Sequence, residues 1–231
     1  MKPRYCRRTN QGLTLVEVVV IIFVIAFMVL GLIPRFSGTV KRERKVTCMD
    51  NLKQLGLAMK IWAGDNDNKP PMEVSATNGG SMELMDTPDA WKTFQVMSNE
   101  LSTPKVIFCP EDSTHGGYAT NWGDDLKHKI SYFINVDAND TNTTMLVSGD
   151  DNFRLNNSPI PPGRFDVAAT APLEWDRSRH LTETKYAWFF TSKINSGYIL
   201  LGDGSVQMTS NSSLTNYLTQ TGLATNRLFI P

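Results

Sequence analysis

The sequence predicts an α+β protein: a long N-terminal α-helix, its first half apolar enough to span a membrane, packed against an antiparallel β-sheet. Three observations predict it. They are an apolar run from Leu13 to Ile33, a stripe of apolar residues spaced by four and three from Cys48 to Trp62, and later short apolar runs separated by turn formers. A chain of 231 residues with 41% hydrophobic content has material for one ordinary domain and lies outside the collagen-like and wholly disordered classes.

The first element is LTLVEVVVIIFVIAFMVLGLI, 21 residues with one charge. At about 1.5 Å per residue such a helix crosses a ~30 Å hydrocarbon layer. It is too uniformly apolar for an amphipathic surface helix. Lys2, Arg4, Arg7 and Arg8 precede it, and Arg35, Lys41, Arg42, Arg44 and Lys45 follow it. Charge alone therefore does not orient it, but a short basic N-terminus ahead of a first apolar run usually stays in the cytoplasm. Everything after Pro34 is then outside. No A-x-A-like cleavage site follows the run, so the anchor is expected to stay. The formal net charge of zero hides an asymmetry: residues 1–45 carry nine Lys/Arg and two acids, the remainder fourteen and twenty-one. A folded part that is acidic argues against nucleic-acid binding.

Glu17, one turn into the run, is the informative residue, because a carboxylate among apolar side chains in a membrane costs free energy unless it is offset. It either snorkels to the headgroups or meets a cation on another chain at the same depth.

Gly12-Leu13-Thr14-Leu15-Val16-Glu17, after a short basic leader and before a long apolar helix, resembles the N-terminal signal of type IV prepilins and type II secretion pseudopilins. The resemblance implies a pilin-like fold. It also implies that a membrane prepilin peptidase cuts after Gly12 and that the new N-terminus, Leu13, is methylated. Cleavage would create an α-ammonium on Leu13. In a staggered array of parallel helices, Glu17 of one subunit can neutralise that amine on its neighbour, with register as the main gain. Pro34 falls where many type IV pilin helices carry a kinking proline, and proline removes an i to i−4 hydrogen bond. The plainer reading is that Gly31 and Pro34 mark the end of the membrane span.

Beyond Pro34 the helix resumes. Cys48, Leu52, Leu55, Met59 and Trp62 form one face that packs on this chain's own sheet, and Lys41 to Lys45 make a solvated collar. Consecutive turn formers from Asp65 to Pro71 end the helix near Gly64. The segments are thus a leader at 1–12, a membrane and filament-core helix at 13–34, its amphipathic continuation at 35–64 and an extracytoplasmic domain at 65–231. Asp65 and Asp67 are weak calcium candidates, since the stretch lacks the central Gly and twelfth-position Glu of an EF-hand. Otherwise no cofactor or metal is expected, and His115, His128 and His180 follow no zinc-ligand pattern. Cys48 and Cys109 either form a disulfide or remain two buried thiols.

Ala90 to Met97 reads as a short helix. Val106-Ile107-Phe108, Ile130 to Ile134, Met145 to Ser148, Tyr186 to Thr191, Tyr198 to Leu201 and Val206 to Met208 are strand lengths. The last two flank Gly202-Asp203-Gly204-Ser205, whose Asp-Gly centre suits a tight hairpin. Residues 152–184 read as a surface excursion rather than a second domain. Cys48 to Leu55, Lys105 to Asp112, Ser131-Tyr132-Phe133 and Gly202 to Val206 resemble prepilin-like proteins with an extended globular domain. In those a His often precedes a terminal Asp-Gly closely; here His180 lies much farther upstream of Asp203 and is assigned no role.

No G-x-S-x-G elbow, Walker loop or H-E-x-x-H is present. The adjacent acids Glu111-Asp112, Asp124-Asp125 and Asp150-Asp151 read as surface solvation. The chain is therefore read as a structural subunit and not as an enzyme. Its expected partners are the peptidase, like subunits or other pseudopilins, an inner-membrane assembly platform with its ATPase, and the lipid bilayer. Its expected location is the inner membrane, N-terminus cytoplasmic and C-terminal domain periplasmic, and then a filament. The alternative is an anchored extracytoplasmic binding module that does not polymerise.

Overall fold

The computed structural model describes residues 12–138, 142–176, 179–187 and 190–231, with side chains placed throughout these except at 30–41 and 181–193. The leader before Gly12 and the side chain of Pro34 lie outside the described residues. The chain divides into two compact units, Met1–Glu43 and Arg44–Pro231. Helix α1, Leu15–Gly64, contributes to both. In the first unit every large apolar side chain from Leu15 to Val29 is exposed, Leu15 at 80% and Phe27 at 76%. Among the described residues no helix is long and apolar enough to cross a membrane. The helix assignment runs unbroken through Pro34.

In the second unit the expected stripe of α1, Cys48, Leu52, Leu55, Met59 and Trp62, is buried, as the four-three spacing requires. The helix ends at Gly64, where Asn68 N–H reaches back to Ala63 O at 2.9 Å and Asp67 and Asn68 adopt left-handed φ of 57° and 56°. Two short helices follow, α2 (Lys92–Val96) and α3 (Ser98–Leu101). The expected strand at Val106-Ile107-Phe108 is instead mostly a 3-10 turn, Pro104–Ile107. Pro104 opens this turn, and Thr103 Oγ1 caps it by accepting from Lys105 N–H. Three apolar residues are too few for periodicity to distinguish strand from helix.

The strands are β1 (Tyr132–Asn135), β2 (Leu146–Asp150), β3 (Phe153–Leu155), β4 (Ser158–Pro159), β5 (Gly163–Ala168), β6 (Leu173–Trp175), β7 (His180–Ala187), β8 (Phe190–Leu201), β9 (Val206–Ser210) and β10 (Thr225–Ile230). Helix α4, Asn211–Gln220, lies between the last two. The main sheet runs β5-β10-β1-β2-β8-β7, with β9 also on β8, and the second is β4-β3-β6. Every pairing is antiparallel. The hairpin at Gly202 to Ser205 forms as expected. Leu200 pairs with Val206, and Gly204 takes the positive φ of 87° that a side chain would resist.

Period-two alternation gives the main sheet two dry faces. Tyr132, Ile134, Tyr198, Leu200 and Phe229 join the α1 stripe in one cluster. Phe133, Ile199, Leu201, Leu228 and Ile230 point the other way, against Trp175 and the Leu214 and Leu218 pair of α4.

Residues 152–184 are not an excursion: they hold β3 to β6 and the start of β7, with β5 an edge strand of the main sheet. Their Asn, Pro and Gly residues punctuate short strands. Asn156 and Asn157, at φ 51° and 65°, turn β3 into β4. The run Tyr186 to Thr191 is no separate strand either, since it straddles the end of β7 and the start of β8.

Candidate functional site

Three buried carboxylates of the second unit converge on one guanidinium. Arg179, just before β7, has its side chain 1% exposed. Its Nη2 lies 2.7 Å from Asp112 Oδ2 and 2.6 Å from Asp151 Oδ1, and its Nη1 lies 3.6 Å from Asp150 Oδ1. Nη1 also donates to the carbonyl of Ser131, just before β1, at 2.6 Å. Asp150 ends β2, and Asp112 sits in the turn after the 3-10 helix. This corrects the expectation that Glu111-Asp112 and Asp150-Asp151 are solvated acids, because Asp112, Asp150 and Asp151 are all buried. Asp125 is exposed, whereas Asp124 is half-buried and accepts from Thr120 and Asn121.

One cation among three carboxylates leaves them unequal. Burial pushes Asp112 upward, but hydrogen bonds from His115, Ser131 and Thr114 and the charge of Arg179 outweigh it and hold the carboxyl well below its usual range. Asp150 has fewer donors. Burial, against the pull of Arg179 and the Tyr198 N–H at 2.7 Å, lifts it to about 6. Burial also raises Asp151. His115 Nδ1 is 2.7 Å from Asp112 Oδ2 and its Nε2 is 3.5 Å from Asp151 Oδ2. Burial lowers His115, yet those two carboxylates more than offset this, so it is raised. Arg179 is held charged: its burial is outweighed by the three acids.

Beside this centre Cys48 and Cys109 form a disulfide, which resolves the two readings left open by the sequence. It fastens α1 to the turn after the 3-10 helix, seconded by Asn51 Nδ2 donating to Phe108 O at 2.8 Å. His180, assigned no role from the sequence, is fully buried against it. Its Nε2 is 3.5 Å from Cys109 Sγ and 3.3 Å from Asp150 Oδ2. Its ring meets Tyr198 edge-on with centroids 4.8 Å apart. Burial and then Arg179 lower its pKa to about 4, so the ring is neutral. His180 pairs with Ser196 across β7 and β8; the β7–β8 hairpin beyond that pair is what separates it from Asp203.

Arg179 and His180 were missed because nothing in a single sequence joins residues at the start of β7 to acids at 112, 150 and 151. The available signal was β2: it runs past the apolar stretch Met145 to Ser148, so the acids at its end are drawn inward.

Gly12 and Leu13 precede α1, and Leu13 is exposed. Thr14 and Glu17 form a reciprocal capping box. Glu17 Oε2 accepts from Thr14 N–H at 2.8 Å and from Thr14 Oγ1 at 2.9 Å, and Thr14 Oγ1 accepts from Glu17 N–H at 3.4 Å. Glu17 therefore has local partners that the sequence reading did not give it.

Among the described residues, the His, Cys, Asp and Glu groups with ligand atoms within 4.8 Å are Asp112-His115-Asp151 and Cys48-Cys109-His180. Asp65 and Asp67 belong to neither, although they line one open groove with Glu73 and Asn78; the calcium expectation gains no ligand set there. At Asp112-His115-Asp151 the Arg179 guanidinium already occupies the cation position. No protein family, curated protein or solved structure matches the chain.

Proposed function

We propose that the chain is a structural subunit of a type II secretion pseudopilus or type IV pilus-like filament. In this reading it is processed after Gly12 by a prepilin peptidase and assembled through its N-terminal helix. The observation that carries the reading is the sleeve of exposed apolar side chains from Leu13 to Val29, interrupted by Glu17 alone among charged residues. A contiguous apolar surface of this kind calls for a nonaqueous partner. Lipid before assembly and like helices after it both qualify, so transfer between them costs little hydrophobic free energy. The inner membrane, a periplasmic outer domain, an assembly platform and its ATPase follow from the same reading. The buried, mutually paired acids and Arg179 support a structural rather than a catalytic role, because no substrate reaches groups whose side chains are 0–4% exposed.

One observation favours a second reading, an anchored extracytoplasmic module that does not polymerise. The capping box satisfies Glu17 within its own chain, so the carboxylate needs no neighbour. Intact mass of the membrane-extracted protein, together with crosslinking through the N-terminal helix, tests both. A methylated chain starting at Leu13 and crosslinked to like subunits supports the filament. An uncleaved monomer overturns it and leaves the module.

A further inference from the structure

The disulfide, His180 and Asp150 form a group that the assembly reading does not use. His180 is fully buried in that group. Among the described residues its Nδ1 has no hydrogen-bond partner, and its Nε2 meets a disulfide sulfur at 3.5 Å and a carboxylate oxygen at 3.3 Å. The first of those separations has another meaning. A tetrahedral zinc ion with Zn–S of about 2.3 Å and Zn–N of about 2.0–2.1 Å sets neighbouring sulfur and nitrogen about 3.5 Å apart.

We propose that the reduced form of this chain binds one Zn2+ through Cys48 Sγ, Cys109 Sγ and His180 Nε2, whose ligand atoms all lie within 4.8 Å of one another, with water in the fourth position, so that metal and disulfide are alternative closures of the same joint. A dithiol reductant supplies the two electrons and two protons that open the Cys48–Cys109 bond and is itself closed to a disulfide. Zn2+ then displaces the two thiol protons to water, and the sulfurs part by side-chain rotation. With the disulfide closed the sulfurs are not thiolates, and the site takes no zinc.

His180 can bind as a neutral imidazole, the form a metal requires. Asp150 Oδ2 accepts from the Tyr198 N–H at 2.7 Å and stands 3.3 Å from His180 Nε2, a carboxylate beside the cation position. Two thiolates neutralise the divalent ion, and Arg179 Nη1, 3.6 Å from Asp150 Oδ1, balances the neighbouring carboxylate. At Asp112-His115-Asp151 the same guanidinium stands between the carboxylates and takes the place of a metal there.

The test uses the full-length chain in detergent, reduced by a dithiol under anaerobic conditions and titrated with Co2+ as an optical probe and with Zn2+ by native mass spectrometry. The expected result is one equivalent of metal, with a thiolate-to-cobalt charge-transfer band and the visible bands of a tetrahedral site. Both should be erased by excess Zn2+ and absent from the oxidised chain. His180→Ala, folded first in its disulfide form and then reduced, should bind at least tenfold more weakly, and His128→Ala should bind as the wild type does. A reduced chain that keeps the far-ultraviolet spectrum of the oxidised one and yields no thiolate–cobalt band overturns the proposal. So does a band unchanged in His180→Ala. If reduction unfolds the chain, recovery of that spectrum on adding Zn2+ supports the site, and failure to recover it overturns the site.

Discussion

Arg179 and Asp112 face each other in the interior, Nη2 to Oδ2 at 2.7 Å, with side chains 1% and 0% exposed. The pair links the start of β7 to a turn far away in sequence, and Asp150 and Asp151 bring in the end of β2. Removing the cation strands buried carboxylates without a counter-charge, which is costlier than losing the attraction itself. Arg179→Met is expected to destabilise the second unit by about 3–5 kcal/mol, read as a lower urea midpoint. Arg179→Lys should restore little, because one ammonium cannot serve the separated oxygens that the planar fork reaches. A midpoint within error of wild type for Arg179→Met would contradict this account of the centre.

The centre should also make stability depend on pH through His115. Its folded pKa is raised above its ordinary 6.5, so its contribution is fully present below that value and is lost as pH rises through the folded pKa. Asp112 acts in the opposite direction. Its folded pKa is lowered, so its share is present above about 3.8 and lost in acid. Asp150 and His180 add slopes of their own, which largely cancel when wild type is compared with His115→Gln, whereas Asp112 and Asp151 both lose the lowering that His115 gives them. The stability difference between these two proteins is expected to be largest near pH 5–6 and to shrink at alkaline pH. A difference that grows with pH would reverse the assigned shift.

The fold was legible where periodicity is long. The α1 stripe from Cys48 to Trp62 and the Gly202 to Ser205 hairpin are local patterns, set by 3.6-residue spacing and by one positive φ. The centre was not legible, because Asp112, Asp150, Asp151, Arg179 and His180 are joined only by strand order, with β2 beside β8 and β8 beside β7. Adjacent acids in a sequence are usually solvated, and here a buried arginine with its neighbouring donors overrides that rule. The capping box was present as Thr14-x-x-Glu17, but the carboxylate was read for its depth in the apolar run rather than for its place three residues after a threonine.

Two glycines at close approaches should respond differently to one methyl group. At Gly197 an added Cβ would lie 2.4 Å from Trp175 Cζ3, a rigid ring at the centre of its cluster. Gly197→Ala is therefore expected to cost about 1–3 kcal/mol as overpacking. At Gly56 the Cβ would lie 2.9 Å from Leu200 Cδ1, the movable end of a flexible side chain. The helix gain of alanine over glycine, about 0.5–1 kcal/mol, offsets that contact. Gly56→Ala should stay within about 1 kcal/mol of wild type, and equal losses at both positions would refute the distinction.

The disulfide spans 61 residues, and closing a loop of that length in the unfolded chain is worth about 4 kcal/mol on the chain-entropy model. Cys48→Ala combined with Cys109→Ala, measured without reductant, is expected to lose 2–4 kcal/mol (about the usual span for such bridges). The fold should survive, because Asn51 still donates to Phe108 O and the α1 stripe remains buried. Complete loss of the native circular dichroism in this double variant would mean that the joint depends on the bridge and not on packing.

Glu17 has two prospective partners, and single substitutions separate them. If its work is the helix cap shared with Thr14, then Thr14→Ala and Glu17→Ala remove the same box and should have similar, local effects on the first turn, with assembly unaffected or equally affected. If its work is to neutralise the amine of a neighbouring Leu13, Thr14→Ala leaves the carboxylate in place and Glu17→Ala removes it. The filament reading predicts the second pattern: both variants insert and are processed, Thr14→Ala still crosslinks into multimers, and Glu17→Ala yields few. The reason is register, since a stagger that pairs no carboxylate with the buried ammonium leaves a charge uncompensated among apolar helices. Wild-type multimer yield from Glu17→Ala, scored by crosslinking and intact mass, would assign the carboxylate to its own helix and remove the main electrostatic argument for polymerisation.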